Sequence, residues 1–266
     1  MLDEIIRHMS ESGVEYELIV VDDGSTDGTA EVVKATGVRL IRHDLNQGYG
    51  AALKKGIRQS LYPLLAIIDG DGTYPTAALP QLLACMDKYD MAVGARTGEH
   101  VEIPFFRRPA KWFLKKLADY LSAIKIPDLN SGLRVFRREL AERFLNIFPD
   151  GFSFTTTITL AALTNGYRVK FLPINYYKRT GQSSIKPMRD FMGFVLLIIR
   201  LIVYFKPLNV FLPMSIALLL VGLTKAAFDF FHQGYFGTGS GIAILAALQI
   251  ACLGLLADLI IRRTQL

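Results

Sequence analysis

Short apolar runs alternate with amphipathic stretches through the first two thirds of this chain of 266 residues. The apolar runs predict strands, and stretches with apolar residues three and four positions apart predict helices. The predicted strands are Glu17–Val21, Arg39–Arg42, Leu64–Ile68, Met91–Gly94, Leu133–Phe136 and Val169–Pro173. The predicted helices are Leu2–Ser12, Thr29–Ala35, Tyr49–Ser60, Ala77–Tyr89, Phe105–Ile124, Arg138–Asn146 and Thr155–Asn165. Because the two kinds of element alternate, the pattern predicts an α/β fold with a mostly parallel sheet and helices on both of its faces.

Beyond about Leu208 the pattern changes, because charged residues nearly disappear. Two apolar runs, Asn209–Thr224 and Ile242–Leu256, can each be extended towards the length of about 20 residues that crosses a bilayer. Two buried helices of a soluble core are disfavoured, because both runs are apolar on all faces. The predicted organisation is a domain over residues 1–187, an amphipathic segment at the membrane interface over 188–207, and transmembrane helices over 208–228 and 242–261.

Basic residues flank the two apolar runs on their outer ends. Lys206 precedes the first run, and Arg262 and Arg263 follow the second. Since such residues gather on the cytoplasmic side of membrane proteins, we expect a multi-pass protein of the cell membrane with its domain on the cytoplasmic face. The lack of an opening secretory signal peptide favours the same orientation. Association of the spans into a homo-oligomer stays open.

The net charge of +6 raises the question of nucleic acid as a partner. That class is disfavoured, because the basic residues gather around Arg96–Lys116 and Lys170–Lys206, near the predicted spans, and aromatic stacking motifs are absent. Anionic lipid head groups, and anionic substrates held near them, are the expected partners. Two cysteines and four histidines without metal spacing predict neither a disulfide framework nor a metal centre built from these residue types.

Two acidic loops carry the candidate chemistry: Val20–Asp27 (VVDDGSTD) and Ile67–Pro75 (IIDGDGTYP). Each follows a predicted strand, and open α/β sheets bind ligands at the carboxyl ends of their strands. Asp69 and Asp71 are one residue apart, so that both carboxylates can converge on one hard cation such as Mg²⁺ or Mn²⁺. A calcium-binding EF-hand is excluded, because position twelve, counted from the second aspartate of the first loop, is Lys34 rather than glutamate.

Four motifs together resemble the family-2 glycosyltransferases of the GT-A fold. They are VVDDGSTDGT, DGDG, DLNSGLRVFRRE (Asp128–Glu139) and YKRTGQSSIKP, the last followed by the apolar hairpin. Within that family the chain is most similar to the polyprenyl-phosphate sugar synthases, which include the dolichol-phosphate mannose synthases. The resemblance covers nearly the whole chain.

For the donor, the resemblance implies that Asp22 and Asp23 face the nucleotide. Asp69 and Asp71 would hold a divalent metal on the diphosphate. Thr73 stands where mannose synthases often carry glutamine, and it would be the third, weaker metal ligand. A structural turn at each acidic loop is the alternative.

For the acceptor, the resemblance implies that Arg96, with Arg107 or Arg108, binds a lipid phosphate, since forked guanidinium donors fit phosphate oxygens. Ser131 would lie beside the acceptor and bind its phosphate. Asp128 lies under the acceptor site, with an orienting role or, in other branches, the role of a base.

A further implied group lies in the basic loop before the hairpin, where Arg179 and Lys186 would close over the diphosphate and stabilise the leaving group. A basic segment that touches lipid head groups is the alternative.

Arg134 is expected to be a surface residue on its strand.

The resemblance implies an inverting transfer of a hexose from a nucleotide sugar, GDP-mannose or UDP-glucose, to a polyprenyl phosphate. Two alternatives remain open: transfer to a hydroxyl of a lipid-linked glycan, and a truncated, non-catalytic membrane partner. Family members begin with a strand and a Pro-x-Tyr-Asn-Glu turn, whereas Met1–Met9 resembles the helix that follows them. We therefore expect reduced nucleotide affinity for the sequence as written.

Overall fold

A computed structural model of the chain describes residues 1–98, 125–151, 153–177, 203–204 and 206–264. It divides into two compact units, Met1–Phe194 and Val195–Leu266. The predicted helix Phe105–Ile124 and most of the predicted interfacial segment lie outside the described residues.

The first unit alternates strands and helices much as the pattern predicts. Its described strands are β1 (Ile19–Asp22), β2 (Arg39–Arg42), β3 (Leu64–Ile67), β4 (Met91–Ala95), β5 (Arg134–Arg137) and β6 (Val169–Pro173). Its described helices are α1 (Leu2–Glu11), α2 (Thr29–Ala35), α3 (Tyr49–Gln59), α4 (Leu79–Ala84), α5 (Arg138–Phe144) and α6 (Phe154–Thr164).

One predicted helix, Ala77–Tyr89, is broken into three pieces. The α-helical part is only α4, and 3₁₀ turns at Thr76–Ala78 and Cys85–Asp87 flank it. Pro80 lies in the first turn of α4, where the missing N–H of proline breaks no hydrogen bond within the helix. A longer helix with Pro80 in its interior would lose such a hydrogen bond.

The sheet is mixed rather than mostly parallel. β1 pairs with β2 in parallel, while the other four strands form a sheet in the order β3-β5-β4-β6. β5 runs antiparallel to both β3 and β4, and β6 runs parallel to β4. Residues 96–133 separate β4 from β5 along the chain, and a connection of that length allows either strand direction. It brings the loop before Arg134 between the ends of β3 and β4.

The main core lies where α1 and α4 cover one face of this sheet. Ile5 and Met9 of α1 pack with Leu82 of α4, and with Ala92 and Val135 of the two central strands. Each such side chain stabilises the fold by roughly 1.5–3 kcal/mol when fully buried. The core therefore holds β4 and β5 beneath the loop that follows β4 and the loop that precedes β5.

α6 is buried along most of its length, although it contains five threonines. Phe154 and Ile158 are fully buried, and so is Thr159, whose hydroxyl bonds back to the main-chain oxygen of Thr155 at 2.8 Å. This polar face of α6 lies against β5. Its Thr155 main-chain oxygen and Thr159 hydroxyl accept hydrogen bonds from the buried side chain of Arg134.

The second unit is a helical hairpin of α7 (Leu208–Gln233) and α8 (Thr238–Thr264). By length and composition both helices can cross a membrane. Glycines allow their close approach, since a Cβ at Gly222 would meet Ile244 at 2.9 Å and one at Gly254 would meet Phe211 at 2.6 Å.

A charged pair lies near the turn of this hairpin. Lys225 Nζ lies 3.1 Å from both carboxylate oxygens of Asp229, which is buried. The two residues are one helical turn apart, and their pairing lowers the cost of placing both charges in an apolar helix.

Candidate active site

Asp69 lies in the loop that follows β3, and its half-buried carboxylate packs against the main chain of Gly132. A side chain at Gly132 would collide with that carboxylate. Tyr49, the first residue of α3, donates its hydroxyl to Asp69 Oδ1 at 2.8 Å. Burial raises the pKa of Asp69, and the neighbouring charge of Asp71 raises it further against the opposing effect of Tyr49.

Asp71 is held by the residue that was predicted to be the third metal ligand. Thr73 donates both its hydroxyl, at 2.6 Å, and its backbone N–H, at 3.2 Å, to Asp71 Oδ1. Thr73 is fully buried. Its visible contribution is therefore to orient the Asp71 carboxylate.

The residues present fit a hard divalent cation. Two neighbouring carboxylates, one of them desolvated, resist being ionised together unless a cation lies between them. Among the described residues no group of three or more His, Cys, Asp or Glu side chains could hold a metal. A site with only two carboxylates suits Mg²⁺ or Mn²⁺, which keep waters and substrate phosphates as their other ligands.

Asp128 and Arg96 form a bidentate ion pair at the end of β4. Arg96 Nε lies 2.7 Å from Asp128 Oδ2 and Nη2 lies 2.9 Å from Oδ1, while the Arg96 backbone N–H also donates to Oδ2. Although burial opposes ionisation, these contacts lower the pKa of Asp128 to about 2. The Asp128 carboxylate is therefore ionised throughout the physiological range.

Aromatic residues support the other side of Arg96. Its guanidinium lies 5.2 Å from the ring centroid of Tyr176, a cation–π contact. Tyr176 in turn packs edge-on against Tyr74 at 5.2 Å, and the Tyr74 hydroxyl accepts a hydrogen bond from the backbone of Gly132 at 2.6 Å. Arg96 is thus connected to the loop that supports Asp69.

Ser131 was predicted to face the acceptor phosphate. Its side chain is fully buried, and its hydroxyl donates to the main-chain oxygen of Gly94. In this arrangement Ser131 joins its loop to β4, and an acceptor role for its hydroxyl stays a prediction.

Arg134 was expected on the surface, and that expectation is wrong. It is fully buried. Its guanidinium donates to the main-chain oxygens of Ser131 and Thr155 and to the hydroxyl of Thr159. Burial lowers the pKa of Arg134 to about 10, so the side chain still carries its charge at neutral pH. The alternation along β5 could not reveal this, because both faces of the strand are covered.

The first acidic loop holds Asp22 and Asp23 in different surroundings. Asp22 is buried; its Oδ1 accepts the N–H of Ser25 at 2.9 Å, and its Oδ2 lies 3.2 Å from Arg42 Nε without a hydrogen bond. Oδ2 of Asp22 thus faces the guanidinium of Arg42 rather than solvent, and the predicted contact of Asp22 with a nucleotide stays a prediction.

Asp23 has both of its carboxylate oxygens occupied. Oδ1 lies 2.7 Å from His43 Nδ1 and accepts the N–H of Gln47, while Oδ2 accepts the N–H of Gly48 at 2.8 Å. Burial opposes the effect, yet these contacts lower the pKa of Asp23. Asp23 therefore shapes the segment that follows β2, and its predicted contact with the nucleotide stays a prediction.

Sequence reasoning missed Tyr49 and His43. His43 is buried, and its Nδ1 lies 2.7 Å from Asp23 Oδ1. The available signal was the segment from Asn46 to Gly50 (NQGYG), whose glycines allow close approach of the backbone. Burial raises the pKa of Tyr49 well above its usual value, so its hydroxyl remains a hydrogen-bond donor.

The other predicted site residues are basic. Arg107, Arg108, Arg179 and Lys186 lie outside the described residues, and their roles remain predictions.

Family models match both units of the chain. The model described as glycosyl transferase family 2 matches residues 1–145, and the model described as the GtrB C-terminal hairpin matches residues 206–262.

Several curated proteins are similar in sequence. The dolichyl-phosphate hexose transferase of Haloferax volcanii is 29% identical, and the match covers 64% of this chain and 74% of that protein. The polyprenol monophosphomannose synthase of Mycolicibacterium smegmatis is 27% identical over 66% of this chain and 72% of that protein. Glycosyltransferase AglJ of Haloferax volcanii is 27% identical, and its match extends over 92% of this chain and 84% of that protein.

Solved structures share the fold. Glucosyl-3-phosphoglycerate synthase from Mycobacterium tuberculosis, in complex with UDP, superposes with a TM-score of 0.58 at 18% identity, covering 74% of each chain. The same enzyme in complex with Mn²⁺, UDP-glucose and phosphoglyceric acid gives a TM-score of 0.56 at 17% identity, covering 74% of this chain and 73% of that one.

Proposed function

The chain belongs to glycosyl transferase family 2, and on that premise we propose that it transfers a hexose from a nucleotide sugar to a polyprenyl phosphate. Its fold is GT-A, and its second unit is a hairpin of two helices that can cross a membrane. Relatives named for the transfer of hexose or mannose to dolichyl or polyprenyl phosphate support the choice of reaction. GDP-mannose and UDP-glucose are the proposed donors.

The donor diphosphate is proposed to lie at Asp69 and Asp71. A Mg²⁺ or Mn²⁺ ion held there would neutralise the charge that develops on the leaving diphosphate. Tyr49 and Gly132 fix the first carboxylate, and Thr73 fixes the second. Asp22 is proposed to contact the nucleotide.

The acceptor phosphate is proposed to bind at Arg96. Nη1 of Arg96 is the guanidinium nitrogen that takes no part in the bidentate pair with Asp128. Arg107 or Arg108 would supply a second guanidinium, and Arg179 and Lys186 would close over the diphosphate. A phosphate oxygen attacks the anomeric carbon from the side opposite the diphosphate, so one C–O bond forms as the other breaks and the configuration inverts.

The observation that carries the choice of acceptor is the ion pair between Asp128 and Arg96. A carboxyl group with a pKa of about 2 that is already bonded to a guanidinium is a poor base. A phosphate acceptor is ionised at neutral pH and needs none, whereas a sugar hydroxyl must lose its proton. The pair therefore favours a lipid phosphate over the hydroxyl of a lipid-linked glycan.

The hairpin places the enzyme on the membrane that holds its acceptor. Restricting both partners to one surface raises the effective concentration of the lipid without requiring a deep lipid pocket. We propose that the catalytic unit faces the cytoplasm, because Lys206, Arg262 and Arg263 flank the two spans.

The test is transfer of radiolabel from GDP-mannose and UDP-glucose into lipid that organic solvent extracts. Membranes carrying the chain are assayed with Mn²⁺ or Mg²⁺ and added polyprenyl phosphate, beside an Asp71→Asn control. Labelled lipid that depends on Asp71 supports the proposal and identifies the sugar. Label found only in a glycan would favour the hydroxyl acceptor. Label found in neither lipid nor glycan would favour a non-catalytic membrane partner.

A further inference from the structure

The two acidic loops are joined through the segment between β2 and α3. Asp23 accepts the backbone N–H groups of Gln47 and Gly48 at 2.9 and 2.8 Å. His43 lies 2.7 Å from the same carboxylate. One charged side chain thus fixes the backbone that leads directly into Tyr49.

The opposite side of this segment is also fixed. Gly48 has a φ of 107°, which favours glycine, and an added Cβ would lie 2.5 Å from the main-chain oxygen of Asp150. A side chain at Gly50 would collide with the main-chain oxygen of Pro149. The N–H of Ala51 donates to that same Asp150 oxygen at 3.0 Å. The first turn of α3 is therefore held between the first acidic loop and the loop before α6.

Tyr49 uses this fixed position to reach the second acidic loop. Its hydroxyl lies 2.8 Å from Asp69 Oδ1. The main chain of Gly132 packs against the same carboxylate so closely that a Cβ at Gly132 would overlap it. The carboxylate of Asp69 is consequently restrained by a tyrosine from one element and by the backbone of another.

We propose that Tyr49 is a positioning residue that fixes the carboxylate of Asp69 for a divalent cation and the diphosphate. The inference rests on the proposed function, because it takes Asp69 and Asp71 as the metal ligands. Hydrogen-bond partners of metal ligands orient those ligands, and their removal weakens metal affinity by about 10- to 100-fold. Tyr49 acts through Asp69 and touches no reacting atom in this account.

The chain offers a matched control for Tyr49. The hydroxyl of Tyr62 donates to Glu15 Oε1 at 2.8 Å, the same length as the bond from Tyr49 to Asp69. Tyr62 and Glu15 precede β3 and β1, whereas the two acidic loops follow those strands. Tyr62→Phe therefore removes the same kind of hydrogen bond without touching the site.

The experiment measures Mn²⁺ binding by the purified full-length chain in detergent, through the electron paramagnetic resonance signal of free Mn²⁺ in the presence of UDP or GDP. Tyr49→Phe is expected to weaken Mn²⁺ binding about 10- to 100-fold, and Tyr62→Phe to leave it unchanged. In the transfer assay, Tyr49→Phe should raise the Mn²⁺ concentration at half-maximal rate by the same factor, with kcat recovered at saturating Mn²⁺. Thermal unfolding of both variants separates this effect from a loss of stability, which would not shift the Mn²⁺ dependence.

Wild-type Mn²⁺ affinity in Tyr49→Phe would overturn the inference and leave the proposed function standing. A wild-type chain that transfers sugar but binds no Mn²⁺ would overturn the inference together with the metal site. A wild-type chain that binds Mn²⁺ with the expected dependence on Tyr49, yet transfers no sugar, would support the inference and count against the proposed acceptor.

Discussion

The guanidinium of Arg96 and the carboxylate of Asp128 form two hydrogen bonds, of 2.7 and 2.9 Å, in a nearly solvent-free position at the end of β4. A buried pair of this geometry is costly to break, because the partner left behind is an uncompensated charge. It also aligns the remaining donors of Arg96. Stability and the proposed binding of the acceptor phosphate therefore depend on the same contact.

Asp128→Asn should weaken transfer without abolishing it. The substitution disturbs the alignment of Arg96, for which we expect a loss of roughly tenfold, whereas removal of a true general base costs about 10²–10⁴-fold. Initial rates of lipid labelling across pH 5.5–8.5, about the range over which such assays run, check this prediction. Asp27→Asn is the control, because that exposed carboxylate accepts hydrogen bonds from the neighbouring Thr29. A loss of a thousandfold or more would point to a base and so to a hydroxyl acceptor.

The same pair predicts how stability depends on acid. The pKa of Asp128 is about 2 in the folded chain against an ordinary value of 3.8. The unfolded chain therefore takes up this proton first as the pH falls, so the stabilisation is complete above about pH 4 and is lost towards pH 2. The shift corresponds to about 2 kcal/mol.

Denaturant unfolding of the detergent-solubilised chain at several values between pH 5 and pH 2.5 measures this loss. Asp128→Asn should show a smaller decrease in unfolding free energy over that interval. An identical decrease in both proteins would contradict the assignment to Asp128.

Local pattern was sufficient for most element bounds. The predicted and observed limits coincide for Thr29–Ala35, Arg39–Arg42 and Val169–Pro173, because periodicity and turn residues are both read from neighbouring positions. The positions of Asp69 and Asp71 after β3 were predicted in the same way. The predicted membership in family 2 is confirmed by the family model.

Contacts between distant segments were not predictable from pattern. The bond from Tyr49 to Asp69 spans 20 residues, and that from Asp23 to Gly48 spans 25. The direction of β5 likewise depends on where its long preceding segment returns. The burial of Arg134 follows from that direction, since β5 becomes a central strand covered by α6.

Arg134→Lys should destabilise the chain far more than Arg137→Lys on the same strand. Arg134 satisfies two main-chain oxygens and one hydroxyl inside the protein, and an ammonium cannot reproduce its planar fork. Removing such contacts from buried groups costs about 1–3 kcal/mol for each unsatisfied group. Arg137 is partly exposed and pairs with Asp90 at 3.5 Å.

The measurement is thermal unfolding of the two lysine variants beside the wild type. Equal shifts in Tm would show that the contacts of Arg134 contribute no more than those of a surface arginine. Retained activity at low temperature in Arg134→Lys would further separate its structural role from a role in transfer.

Gly132→Ala should impair the metal and diphosphate site with little effect on the rest of the fold. The added methyl group would overlap the carboxylate of Asp69, so that Asp69 must leave its position between Tyr49 and Gly132. The N–H of Gly132 also bonds to Tyr74 at 2.6 Å, which limits how far the backbone can retreat. We expect Mn²⁺ affinity in the presence of UDP or GDP to fall at least about tenfold, as for other disturbances of a metal ligand.

Gly151→Ala is the matched control for that variant, because an added Cβ there would meet no atom of the described residues within 4 Å. It should bind Mn²⁺ and transfer sugar as the wild type does. Isothermal titration calorimetry with UDP or GDP in the presence of Mn²⁺ measures the nucleotide affinity of both variants. If Gly132→Ala bound as tightly as Gly151→Ala, the Asp69 carboxylate would have to function from a different rotamer. The close approach of these two loops would then be a packing feature without a part in donor binding.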